Sequence, residues 1–217
     1  MNLSIIIPAY NEEKYIQKTL ESINVDNVEV IVVCNGCTDK TFKVASNYAK
    51  KSNKKIKVFN LKKKGVSIAR NYGAKKASKK RLIFLDADIR VWHDVLEKIN
   101  KTKKTVGTCY VRPDIERFVP KALMKLKNLT HKMGTCTGLI FCDKNLFFTI
   151  GGFDETMQIG EDGRFLRHAR KAGKYGVVKA FAYNNMRRFE KKGYCKTCCF
   201  WIKHFFNPKQ KEYEAIR

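Results

Sequence analysis

Residues 81–92 read RLIFLDADIRVW. Arg81 to Leu85 form a short, mostly apolar run of the kind that makes a strand buried on both faces. Asp86 and Asp88 follow, with only Ala87 between them. Two carboxylates this close repel each other, and partial burial strengthens the repulsion. A positive group is therefore expected between them. In extended chain, residues two apart project to the same side, and carboxylate oxygens suit hard divalent cations such as Mg²⁺ and Mn²⁺. A cation held there could also bind a diphosphate. A D-x-D pattern can equally cap the helix that VWHDVLEKI suggests, so the pattern alone leaves both readings open.

The segments before this strand alternate in type. LSIIIPA (3–9), VEVIVVC (28–34) and KIKVFNL (55–61) read as strands. NEEKYIQKTLESI places Tyr15, Ile16, Leu20 and Ile23 at helical spacing, with Asn11 expected as its N-cap. TDKTFKVASNYAKK reads as a helix capped by Thr38 or Asp39, and GVSIARNYGAKKA as a third helix. Strands alternating with helices through short connections predict a doubly wound, mostly parallel α/β sheet flanked by helices. Ligands of such sheets bind beyond the carboxyl ends of the strands, where Asp86 and Asp88 fall. Beyond residue 91, TVGTCYV and TGLIFC read as strands, ERFVPKALMKLKNLTHKM as a helix with a basic face, and EDGRFLRHARKAGKYG as a helix closed by Gly173. The division expected is a body over 1–186, with a nucleotide-binding half (1–90) and an acceptor half (91–186), then a basic, aromatic helical tail over 187–217.

The chain of 217 residues carries 45 Lys and Arg against 20 Asp and Glu, a net charge of +25. An anionic partner follows: a phosphorylated small ligand, nucleic acid or an acidic membrane surface. The lysines are dispersed over several helices without a recognition motif, so no nucleic acid is expected. No apolar run approaches the roughly 18 residues of a membrane span, and the first residues lack a signal peptide's basic start. A cytoplasmic protein is expected, with its eight cysteines as reduced, small hydrophobes.

Five ordered segments resemble glycosyltransferase family 2, whose fold is GT-A: SIIIPAYNEEKYIQKTLESI, VIVVCNGCTDKT, KKKGVSIARNYGAKKA, LIFLDAD and GGFDETMQIGED. The resemblance covers most of residues 3–190. It implies an inverting transferase that moves a sugar from a nucleoside-diphosphate donor to a lipid-linked or polysaccharide acceptor. By the same resemblance Pro8, Ala9, Tyr10 and Glu12 line the nucleotide pocket, and Asp86 and Asp88 handle the ribose, the diphosphate and a Mn²⁺ or Mg²⁺ ion. Asp162 is implied as the base, with Glu161 beside it; a carboxylate at a helix N-terminus is stabilised as the anion. Where the family usually has two aspartates this chain has Cys34 and Asn35. Asn both donates and accepts, so the usual uracil inference does not carry over. Gly163 stands where the family often has a further polar residue.

Arg70 lies close enough to the acids to reach the same phosphates, and Arg187 and Arg188 could grip a diphosphate or an acceptor phosphate, since guanidinium binds phosphate bidentately. Each has an alternative as a solvated surface arginine. His93, His131 and His168 form no constellation and are expected at the surface. Cys195, Cys198, Cys199 and His204 lack a second well-spaced pair, which disfavours zinc. With Tyr194, Trp201, Ile202, Phe205 and Phe206 they read better as one face of a basic helix packed on the core or anchored peripherally on a membrane. A nucleotidyltransferase of similar topology would use the same two acids, but it would need a glycine-rich loop that IIIPAYNEE lacks.

Overall fold

The computed structural model describes residues 1–136, 138–157 and 159–199. Its strands are β1 (Leu3–Ala9), β2 (Glu29–Asn35), β3 (Lys55–Leu61), β4 (Arg81–Leu85), β5 (Arg90–Val91), β6 (Val106–Pro113), β7 (Leu139–Asp143) and β8 (Tyr175–Asn184). Its helices are α1 (Ile16–Ser22), α2 (Thr41–Lys51), α3 (Val66–Lys76), α4 (Val95–Lys101), α5 (Phe118–His131), α6 (Lys144–Thr149), α7 (Glu161–Ala172) and α8 (Arg187–Lys192). The strands form one sheet in the order β3-β2-β1-β4-β7-β6-β8-β5. β1 to β4 pair in parallel, β7 runs antiparallel to β4 and β6, and β8 runs parallel to β6 with a bulge between Cys109 and Tyr110. The sheet is thus mostly parallel, as expected.

The centre of the sheet follows from its sequence. All seven residues of β1 and of β2 are buried, because helices cover both faces. Successive side chains alternate faces. Leu3, Ile5 and Ile7 therefore join Ile83 and Leu85 in one core, while Ile6 joins Leu82, Phe84 and Phe147 in the other. At the edge opposite the acids, buried Glu29 ties three segments together. It accepts hydrogen bonds from the Ser4 hydroxyl at 2.6 Å and the Ser78 backbone N–H at 2.7 Å, and it pairs with Lys57 Nζ at 2.9 Å. Burial works against its charge, but these donors win and hold its carboxyl down to about 2.

Several expectations need correction. Asn11 does not cap α1; its backbone is left-handed (φ 54°) and its Oδ1 accepts from Thr38 N at 2.8 Å. Lys40, not Thr38 or Asp39, occupies the N-cap position of α2; Asp39 sits just before it, accepting from Thr41 N at 2.9 Å and from Glu13 N at 3.1 Å. His131 is fully buried, not at the surface. β8 answers to no strand expected from the sequence. The packed body also continues past residue 186: Phe189 is buried in the core, and Tyr194 and Cys198 pack against it. Trp201, Ile202, His204, Phe205 and Phe206, and the zinc or anchor readings that depend on them, lie outside the described residues.

The Glu29 network makes an acid-labile anchor. Its folded pKa lies below the unfolded value, so the stability it supplies is complete above about pH 5 and vanishes as the pH falls toward 2. Glu29→Gln should cost about 1–3 kcal/mol at neutral pH. In urea unfolding, that deficit relative to the parent should shrink steadily between pH 5 and pH 3.

Candidate active site

The acids that follow β4 do not continue the strand. Ile89 N donates to Asp86 O at 3.1 Å, closing a turn over Asp86–Ile89. The extended pair expected from the sequence is therefore a bent one, and each carboxylate meets its own cation. Arg70, on the buried side of α3, donates from Nη2 to Asp86 Oδ1 at 2.9 Å and from Nη1 to Glu161 Oε1 at 2.9 Å. Arg187, the first residue of α8, donates from Nη2 to Asp88 Oδ2 at 2.8 Å and to Glu12 Oε1 at 2.7 Å. The positive charge demanded by the D-A-D pattern thus comes from two buried arginines, and neither is the solvated surface residue of the alternative reading.

Each guanidinium also lies against an aromatic ring, Arg70 over Phe153 at 4.9 Å and Arg187 over Tyr15 at 4.2 Å. Burial opposes both charges, yet the neighbouring carboxylates outweigh it and hold both arginines protonated. The acids respond to the same surroundings. Burial pushes Asp88 up to about 6, with Arg187 pulling the other way. Burial, then the nearby Asp162 charge, push Glu161 up to about 7 against the pull of Arg70.

Asp86, Asp88 and Asp162 line one cavity of about 180 Å³ with Arg187 and Arg188. Two close backbone approaches shape it. Asp86 N donates to Gly138 O at 2.9 Å, and Gly138 has φ 68°, where a Cβ would lie 2.4 Å from Ile89. Gly160, also left-handed, turns the chain into α7, so that Glu161 and Asp162 occupy its first turn. Their roles then divide. Glu161 is committed to Arg70 behind the wall. Asp162 faces the cavity, accepting from Gly163 N at 2.6 Å and from the Cys136 thiol at 3.3 Å.

The remaining expected residues lie around this centre. Ala9 is buried at the end of β1, and Lys64 Nζ sits 4.3 Å above the Tyr10 ring. Asn35 is buried, with its amide oriented to donate to Ala9 O at 2.8 Å and accept from Gly65 N at 3.1 Å. Pro8, Ala9, Tyr10, Glu12, Asn35 and Arg70 do not themselves line the cavity. Sequence reasoning missed Lys127, whose side chain reaches the cavity from α5. Burial pulls its ammonium down to about 8, and burial together with Lys127 pulls neighbouring His131 down to about 4. The available signal was register, since residues 123, 127 and 131 lie on one helix face.

Among the described residues, no group of three or more His, Cys, Asp or Glu could hold a metal ion. Asp86 and Asp88 each present one carboxylate oxygen to an arginine and keep the other. Two carboxylates completed by substrate phosphates and water is the way Mg²⁺ usually binds, so the donor set fits a cation that arrives with a diphosphate.

The sequence profile of Glycosyl transferase family 2 matches residues 4–154. The chain belongs to that family. The Bacillus subtilis minor teichoic acid biosynthesis protein GgaB is 28% identical over 204 residues, which cover 84% of this chain and 23% of GgaB. The structure of S. aureus TarS with UDP-GlcNAc is 25% identical, with a TM-score of 0.69, over 85% of this chain and 58% of that one. The Pyrobaculum calidifontis mannosyltransferase PcManGT, solved with GDP-Man and Mn²⁺, is 20% identical with a TM-score of 0.67, over 84% of this chain and 56% of that one, and shares the fold. The fold is GT-A. The chain spans well under two thirds of these proteins.

Breaking the Arg70 bridge should expose its worth. Arg70→Met leaves Glu161 and Asp86 without their counter-charge, and a loss near the low end of about 3–5 kcal/mol is expected, since Asp86 is partly exposed. A second expectation concerns pH. The folded pKa of Glu161 lies above the usual carboxylate value, so its favourable contribution is complete below about pH 4.5 and lost as the pH rises through 7. Relative to the parent, Glu161→Gln should therefore gain stability between pH 5 and pH 8, on the order of 2 kcal/mol, measured by chemical denaturation at both values.

Proposed function

We propose that this chain transfers a sugar, with inversion, from a nucleoside-diphosphate donor to a hydroxyl or phosphate of a lipid-linked or glycan acceptor. The carrying observation is the convergence of Asp86, Asp88 and Asp162, from two distant segments, on a cavity that Arg187, Arg188 and Lys127 also line. Cations and acids facing one another suit a reaction whose leaving group is a diphosphate and whose nucleophile must lose a proton. The family membership supports the reading, as does the TarS structure, which holds a sugar nucleotide. The naming of GgaB as a teichoic acid biosynthesis protein favours a glycan acceptor.

The acceptor oxygen attacks the anomeric carbon as the bond to the diphosphate oxygen breaks. The electron pair leaves on that oxygen, and the acceptor proton passes to Asp162. Asp162 reaches that proton from the first turn of α7. Glu161 holds Arg70, and Arg70 holds Asp86, so these two are positioning residues. Asp86 and Asp88 would hold Mn²⁺ or Mg²⁺, which when bound would stabilise the developing charge of the leaving diphosphate. Arg187 and Arg188, which line the same cavity, add guanidinium donors. Asn35 supports the nucleotide pocket by fixing the ends of β1 and α3 together. The net charge of +25 supports a reaction at the anionic cytosolic face of a membrane.

Thermal shift across nucleoside diphosphates, with and without Mn²⁺, tests donor and metal together, because a ligand of the folded state raises its melting temperature. A shift that needs both is expected, and Asp88→Ala should abolish it. Asp162→Asn should keep the shift and lower turnover by about 10²–10⁴. Unchanged turnover in that variant would remove Asp162 from the base role.

A further inference from the structure

We infer that the outer face of α5 docks this chain onto an anionic lipid surface, with the cavity held just behind it. The inference rests on the proposed reaction for its purpose but not for its evidence. Phe118, Ala122, Leu126, Leu129 and Met133 follow one another at intervals of four, four, three and four residues. At 3.6 residues per turn they fall within about 80° of one another. The stripe continues two residues beyond the end of α5, at Met133. Phe118, Leu126, Leu129 and Met133 are 85%, 62%, 68% and 59% exposed. Tyr110 and Phe181 extend the apolar ground beside Leu126 and Leu129. A stripe of large side chains this open is the mark of an interaction site, whereas single exposed apolar residues are ordinary.

Its surroundings select the occupant. α5 contains no acid, and Lys121, Lys125 and Lys132 run along one flank of the stripe. Apolar side chains bordered by lysines are what a helix lying in a membrane interface needs: the former enter the acyl boundary while the latter meet anionic headgroups. A second copy packed antiparallel through this face would bring the same lysine rows face to face. A single helix stripe is also narrow beside the roughly 1,200–2,000 Å² of a stable protein interface. The opposite side of α5 carries Lys127 into the cavity and buries Met124 in the core. One rigid helix therefore separates lipid from active site, and an acceptor carried on a lipid would have only the helix's width to cross. No described helix is long and apolar enough to span a membrane.

The test uses the full chain with sedimented vesicles of pure phosphatidylcholine or of phosphatidylcholine with about one third phosphatidylglycerol. Binding to the anionic vesicles alone is expected, weakening at high salt. The double variant Leu126→Glu, Leu129→Glu should bind at least about tenfold less, with unchanged circular dichroism and an unchanged nucleoside-diphosphate thermal shift. Undiminished binding by the variant would move the contact to another surface and overturn the proposal. So would a failure of the parent to bind either vesicle, or a concentration-dependent dimer, by light scattering, that the variant abolishes. A lost thermal shift in the parent would instead strike the proposed donor and leave the docking result standing.

Discussion

Two buried guanidinium groups organise this molecule. Arg70 and Arg187 each clamp a pair of carboxylates brought from segments far apart in the chain, and together they pin both acids of the D-A-D turn. Acids gathered this closely in a half-buried cleft would otherwise drive each other toward the protonated state or drive the cleft open. The arginines let the acids stay together while leaving one oxygen of each D-A-D carboxylate uncommitted. A cation bound there would join an existing charge balance and would not have to create one. Burial, with neighbouring acids adding to it, raises Asp88 and Glu161, so a further positive charge or a proton beside them would be favoured.

The sheet provides the frame. β1 and β4 deliver Tyr10 and the D-A-D turn from parallel neighbours. The reversed β7 lets its glycine entry touch the back of that turn, which sequential parallel strands could not do. α7 then brings Asp162 to the same place from the far half of the chain. The deep burial of β1 and β2 keeps these loop origins fixed, and the loops carry the chemistry, as in open α/β sheets generally.

The first half of this design is legible in the sequence because its strands are continuous apolar runs and its helices are amphipathic. β8 was not, because Lys179 and several half-buried positions break its pattern and a bulge shifts its partner's register. Asp86, Asp88, Asp162, Arg187 and Arg188 could be picked out, since acids after strands and paired arginines are visible as motifs. What each arginine would hold was not visible, because those partners lie 16, 91, 99 and 175 residues away. Lys127 was hidden by company: among so many lysines, an inward one looks like its solvated neighbours. His131 escaped for a similar reason, since burial of a polar side chain follows from helix orientation and not from its own chemistry.

The contact between Glu12 and Arg187 has a consequence for how the chain comes into being. A ribosome releases the N-terminal segment first, and its carboxylate must wait for an arginine 175 positions later. Contacts at such sequence separation are the kind that slow folding. The Glu12–Arg187 pair cannot form until α8 has been made, and a nascent chain cut short of α8 leaves Glu12 and Asp88 without that shared counter-charge.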